Sequence, residues 1–435
     1  MVYKEKDKLK FRGGYATKKV RLAAVLVLPI YRILDVNSKP KYSVIIPAKN
    51  GMPYLKYAVL SALSSDFLGL EVIVSLDGSL DESEKFLSEI QDPRLRVVRP
   101  RHGLSMSEHW DFAQLQAHGE WQLFLGQDDL LMKGYARAFE FLTQEAGNRS
   151  LDIVVARRAY VTWPPLGNAK LKALQYWESG ELEVREAETF VSKALTSNIS
   201  YHAGPQMYTT TLVSEKLISQ IRLAHSGRLV LGHPQDAYLA AALLKEGKNF
   251  LFTGKPFSWV GTSTRSAGLA ISLSSEDNEP NSLSGEYLQS VSNSAELAYK
   301  SSVDFRHAVN SRYFIDALAV VWPEILQSKR FKSAIFRILV DSHSWSVLAQ
   351  NRKQGILLKH IFYFGGLRRV KALVGLGWIV GAAALSFMRR IGAIILSRIS
   401  PRNLKFSSVD RVQDADELLE MANAISSNYD LRVAK

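Results

Sequence analysis

From Tyr42 to Leu142 the chain alternates two hydrophobic periods. Short apolar runs, Val44-Ile45-Ile46, Val72-Ile73-Val74, Leu95-Arg96-Val97-Val98 and Trp121 to Leu125, have the length and composition of buried strands. Between them apolar residues recur at helical spacing. One set is Leu55, Ala58, Val59, Ala62 and Leu63; the next is Phe86, Leu87 and Ile90. Two more follow: Met106, Trp110, Ala113 and Ala117, then Tyr135, Ala138, Phe139 and Leu142. Strand and helix in alternation predict an α/β fold, a mostly parallel sheet with helices on both faces. Asp152 to Ala156 predicts a further strand, and 236–247 a helix that opens near Asp236 and stops at Gly247. The stretch 160–235 shows no sustained period.

The predicted strands end in polar turns. The first runs into Pro47-Ala48-Lys49-Asn50, the second into Asp77-Gly78-Ser79, and the fourth into Gln127-Asp128-Asp129. Ligands of open α/β sheets bind at the carboxyl ends of strands. Two adjacent carboxylates behind a buried strand are costly unless a cation meets them. Hard oxygen ligands suit Mn²⁺ or Mg²⁺, ions that are readily shared with substrate phosphates. Asp128 and Asp129 are therefore the expected metal ligands.

Charge adds a second feature. The 435-residue chain has a net charge of +13, and the excess is local. Residues 1–22 hold eight Lys or Arg against two acids, and residues 350–400 hold nine and no acid. Both segments adjoin apolar runs, Leu22–Leu34 and Ala372–Met388. Basic next to apolar fits an anionic membrane surface, not nucleic acid. The second run has 17 residues, at the short edge of a spanning helix, with Lys or Arg on both sides. A helix lying in the membrane plane is expected, with a single pass as the alternative. The absence of cysteine excludes disulfides.

The expected organisation is a basic segment at 1–40, an α/β domain at 41–265 and a Ser/Asn/Gly-rich linker at 266–296. A helical extension at 297–345 and membrane-associating helices at 346–400 follow. The chain then ends in an acidic amphipathic helix within 401–435.

The stretches Tyr42 to Asn50, Val74 to Ser79, and Ala117-His118-Gly119-Glu120-Trp121 running into Gly126-Gln127-Asp128-Asp129 resemble, in order and spacing, family-2-type glycosyltransferases of the A-type fold. That resemblance implies inverting transfer of a sugar from a nucleoside diphosphate, a UDP-sugar, to a lipid-linked or polysaccharide-precursor acceptor at the cytoplasmic face of a membrane. It implies that Asp77 reads the base and that Pro47, Ala48 and Asn50 line the nucleotide. Asp128 and Asp129 would hold the metal, Arg265 would meet the phosphates, and Asp236 in Pro234-Gln235-Asp236 would be the catalytic base. The chain departs from the family pattern at Leu76, Gly126 and Gln235, where carboxylates are usual. A non-catalytic nucleotide-sugar-binding scaffold and a sugar nucleotidyltransferase are the alternatives.

Overall fold

The computed structural model describes residues 39–101, 103–164, 173–196, 200–266, 310–324, 405–409 and 414–427. The first strands are β1 (Tyr42–Ala48), β2 (Leu70–Leu76), β3 (Leu95–Val98) and β4 (Trp121–Phe124). The helices α1 (Tyr54–Leu63), α2 (Ser83–Glu89) and α3 (Met106–Leu115) connect them. Every residue of β1 and β2 is buried. This is why they read as continuous apolar runs and not as alternating ones. The order β3-β2-β1-β4 is parallel throughout, as expected from the alternation.

Beyond β4 the sheet departs from that expectation. A short β5 (Leu130–Leu131) and α4 (Tyr135–Asn148) lead to β6 (Ile153–Ala156). Next to β4 lies β10 (Thr211–Ser214), antiparallel to both β4 and β6. The edge is completed by β11 (Asn249–Thr253), parallel to β6, and β9 (Leu182–Glu186), antiparallel to β11. The sheet is therefore mixed, with eight strands. The described residues of the stretch without sustained period hold β7 (Ala159–Thr162), β8 (Leu174–Glu178), β9, α5 (Ala187–Thr196), β10 and α6 (Glu215–Ala224). The helix expected at 236–247 is α7 (Gln235–Gly247).

A second sheet of five strands, β13-β8-β7-β12-β5, stands beside the first. Its strand β12 (Ser258–Thr262) runs back past β5, and β13 (Lys405–Val409) comes from the far end of the chain. Two more helices are described, α8 (Asn310–Val321) and α9 (Ala415–Ser427). Helix α9 buries Leu418 and Ala422 against Trp163 and Trp259 of the second sheet, and Tyr57 of α1 donates to Asp416 at 3.1 Å. The acidic C-terminal helix is thus packed on the body by its apolar face.

No helix among the described residues is long and apolar enough to cross a membrane. The basic segment 1–38 and the 346–400 segment lie outside the described residues.

Candidate active site

The ends of β1, β2 and β4 are stitched together by short polar bonds. The Asp77 N–H donates to Ala48 O at 3.0 Å, joining β2 to β1. Asn50 takes a left-handed backbone, φ 49°, which Asn tolerates better than most residues. Its N–H donates to Ser79 Oγ at 2.9 Å, and its Oδ1 accepts the Leu80 N–H at 2.8 Å. The Lys49 N–H donates to Gln127 Oε1 at 3.0 Å, closing the link to β4. Pro47 and Ala48 end β1 inside this junction.

Asp77 is buried at the tip of β2. It accepts the Leu104 N–H at 3.2 Å, and the Lys49 ammonium stands 3.9 Å from its Oδ2. Lys49 is half exposed, so this ion pair is weak. Behind Asp77 lies His109, whose Nε2 faces Ser75 O at 3.0 Å. Burial depresses the His109 pKa to about 4, against an opposing pull from Asp77. His109 is therefore a neutral strut under the strand end. Arg265 is exposed; burial acts to raise the Asp81 pKa, but hydrogen bonds from Ser83 and Met52, with the Arg265 charge, hold it below the usual carboxylate range.

The paired carboxylates have different surroundings. Asp129 is fully buried. Its Oδ1 accepts the Gly261 N–H at 2.5 Å, and its Oδ2 accepts the Gly126 N–H at 3.0 Å and the Thr209 hydroxyl. The Tyr208 hydroxyl also bonds to it, and burial with two neighbouring carboxylates pushes that phenol far up, so it stays a donor. Both Asp129 oxygens are thus occupied by the protein. Asp128 accepts from Ser263 Oγ at 2.7 Å and from Ser266 Oγ, both on Oδ2. Its Oδ1 accepts from no side chain among the described residues.

Burial pushes up both pKa values, and the charge of Asp128 adds to the rise of Asp129 to about 6. No Lys or Arg among the described residues forms an ion pair with either. A divalent cation would supply the missing positive charge, and the oxygen donor set fits Mn²⁺ or Mg²⁺. The described residues contain no cluster of three or more His, Asp or Glu able to hold a metal unaided. Both side-chain donors to Asp128 sit on Oδ2, which leaves Oδ1 clear of side-chain donors among the described residues.

Asp236 sits in the first turn of α7, partly buried. Its Oδ2 accepts the Tyr201 hydroxyl at 3.1 Å, and His202 Nε2 lies 3.5 Å away. Its Oδ1 accepts the Ala237 N–H at 3.0 Å. Burial acts to raise its pKa, but His202, Arg158 and Tyr201 outweigh it and leave the carboxyl below its ordinary value. Arg158, which donates to Gln206, is close enough for its charge to act on both Asp236 and Tyr208. Its charge therefore reaches both the Asp236 cluster and the Tyr208 hydroxyl bonded to Asp129.

Sequence reasoning did not single out Arg158, Tyr201, Tyr208 or Thr209. They lie in turns, and Met207 and Thr209 on either side of Tyr208 have positive φ of 52° and 42°. No hydrophobic period marks such residues. Gln235 is visible in the sequence only as the residue beside Asp236.

Residues 43–196 match the family model described as Glycosyl transferase family 2. Among curated proteins the chain is similar to the GalNAc(5)-diNAcBac-PP-undecaprenol beta-1,3-glucosyltransferase of Campylobacter jejuni, 34% identical over 25% of this chain and 35% of that one. It is also similar to an uncharacterised glycosyltransferase of Rickettsia typhi, 31% identical over 21% of this chain and 28% of that one. The chain thus spans about a third of the length of these relatives. Among solved structures it resembles S. aureus TarS 1–349 in complex with UDP-GlcNAc, at 16% identity and a TM-score of 0.46, covering 74% of this chain and 80% of that one. The matched residues include β1 to β4 and both carboxylates at the end of β4. Over residues 43–196, then, this chain is similar to family 2 glycosyltransferases.

Proposed function

We propose that the chain is an inverting glycosyltransferase that moves a sugar from a UDP donor to a lipid-linked or polysaccharide-precursor acceptor. The observation that carries this reading is the shared sheet edge: Asp77 and Asp128 follow the carboxyl ends of β2 and β4, the two strands that flank β1, and the charge of Arg158 acts on both Asp236 and Tyr208. Asp77 is a buried acceptor suited to the imide N–H of uracil. The lipid-linked acceptor is supported by the name of the Campylobacter jejuni relative. The basic, apolar segments favour a reaction at an anionic, cytoplasmic membrane surface.

Asp236, ionised at neutral pH, takes the proton from the acceptor hydroxyl. The acceptor oxygen bonds to the anomeric carbon as the bond to the diphosphate oxygen breaks on the opposite face, which inverts the centre. A divalent cation, when held by Asp128, would neutralise charge developing on the departing diphosphate. Arg158 and Arg265 supply further positive charge along the edge. Each cationic side chain can bond to phosphate oxygens through its guanidinium.

The test is UDP release from UDP-sugars by the full chain with Mn²⁺ and a lipid-linked acceptor. Asp236→Asn keeps an oxygen for the Ala237 N–H and loses basicity. It should leave UDP affinity near normal and lower turnover by roughly 10²-fold or more. Unchanged turnover in Asp236→Asn would move the base elsewhere. A second reading, a nucleotide-sugar-binding scaffold, is favoured by Gly126 and Gln235 standing where carboxylates are usual. UDP binding with no turnover on any acceptor would support it.

A further inference from the structure

Helix α8 begins 44 residues after Ser266, the last described residue of the preceding segment, and lies far beyond the matched family domain. Yet it packs along α7, burying Phe314, Ile315, Ala317, Leu318 and Val321, and Lys245 of α7 donates to Val321 O at 2.8 Å. Phe314, 2% exposed, stacks on the ring of Tyr201 with centroids 5.5 Å apart and planes 16° apart. Tyr201, 3% exposed, donates its hydroxyl to Asp236 Oδ2 at 3.1 Å and also contacts the His202 ring, 4.2 Å between centroids.

A carboxylate acting as a base must be aimed as well as ionised. Of the two groups on its Oδ2, Tyr201 is the rigid one, because its ring is clamped between Phe314 and the body. We propose that Tyr201 is a positioning residue for Asp236, and that Phe314 of α8 fixes Tyr201, so that a helix outside the family domain completes the active site. This inference rests on the assignment of Asp236 as the base.

The charged or titratable groups facing Asp236 are His202 and Tyr201 from the turn before β10, Arg158 from the β6–β7 connection, and His233 just before α7. Tyr201 and His202 both favour the ionised form of Asp236. Loss of the Tyr201 hydroxyl removes one such donor and frees the carboxylate to rotate.

The experiment uses the full chain, with UDP release measured across pH and UDP affinity measured separately. Tyr201→Phe keeps the ring stacked on Phe314 and removes only the hydroxyl. It should lower kcat by about 10-fold, the effect of one lost hydrogen bond to a charged group. KM for the UDP-sugar should be unchanged, and the acid limb of the kcat profile should move to higher pH. Phe314→Ala should give the same kcat-selective loss and the same shift, and Phe314→Tyr, which restores a stacking ring, should recover both. If Asp236→Asn abolishes turnover while Tyr201→Phe and Phe314→Ala keep wild-type kcat and acid limb, the positioning role is wrong and the base assignment stands. If Asp236→Asn itself turns over normally, the base assignment fails first. Should Phe314→Ala not fold, Tyr201→Phe alone decides.

Discussion

Asp128 and Asp129 are chemically identical neighbours, yet they make opposite demands on their surroundings. Asp129 spends both oxygens on four protein donors that join β4, the Tyr208 turn and β12. Asn at 129 would turn an N–H₂ toward donors that need an acceptor. The expected cost is about 1–3 kcal/mol per donor left unpaired, seen as a lower Tm with and without Mn²⁺. Asn at 128 removes the charge but leaves an oxygen for Ser263 and Ser266. Its Tm should stay near wild type while Mn²⁺-dependent UDP binding is lost. The opposite pattern, binding lost at 129 and stability lost at 128, would reverse the assignment. The same geometry accounts for Gly126. A Cβ there would stand 2.5 Å from the Tyr208 hydroxyl and 2.6 Å from Asp129 Oδ2, so the space of the family's usual first carboxylate is filled by Tyr208.

At the scale of elements, the amino ends of β1, β2 and β4 are held together by Glu71. Its carboxylate accepts Ser43 Oγ at 2.6 Å, the His118 N–H at 2.6 Å and an Arg96 nitrogen at 2.7 Å. Burial raises its pKa, but Ser43, His118 and Arg96 together outweigh burial and set it below the ordinary 4.5. Folding therefore favours the ionised form. That stabilisation is complete above the unfolded pKa and is lost as pH falls through the folded one. Glu71→Gln should cost about 1–3 kcal/mol at pH 7, with little contribution from half-exposed Arg96. The gap to wild type should close in melts taken progressively below pH 4.5. A gap that persists at low pH would point to packing and not charge.

The four parallel strands were legible because full burial on both faces leaves continuous apolar runs between helical stripes. Strand β9, Leu-Glu-Val-Arg-Glu at the sheet edge, is half or fully exposed along its length and so carries no apolar signature. One of the two partners of β8 lies more than 200 residues downstream in β13, where no local pattern could announce it. The site divides the same way. Asp77, Asp128 and Asp236 follow strand ends or open a helix, which sequence marks. Tyr201 and Phe314 meet through tertiary packing alone, across 113 residues.

At the scale of the whole molecule, the C-terminal residues belong to the catalytic body. Leu418 is fully buried in the same apolar cluster as Trp163, whose indole N–H donates to Asp128 O at 2.6 Å. Removing α9 therefore uncovers the layer behind the carboxylates. Leu418→Ala should cost about 2–5 kcal/mol and weaken Mn²⁺-dependent UDP binding in proportion to the fall in folded fraction. A chain ending at 404 loses β13 as well and should unfold at a lower temperature still. Equal melting of the full and shortened chains would mean that β13 and α9 add nothing to the fold.

The docking of both α8 and β13 on one body has a topological consequence. Glu324 and Lys405 are both described residues of that body, and residues 325–404 lie outside the described residues. A path that starts and finishes on the same side of a barrier crosses it an even number of times, zero included. One traverse by residues 372–388 alone would strand α8 and β13 on opposite sides. The shared packing of these two anchors thus favours the in-plane reading of 372–388 over a single pass. Labels placed on α8 and α9 of vesicle-bound protein should react from the same face.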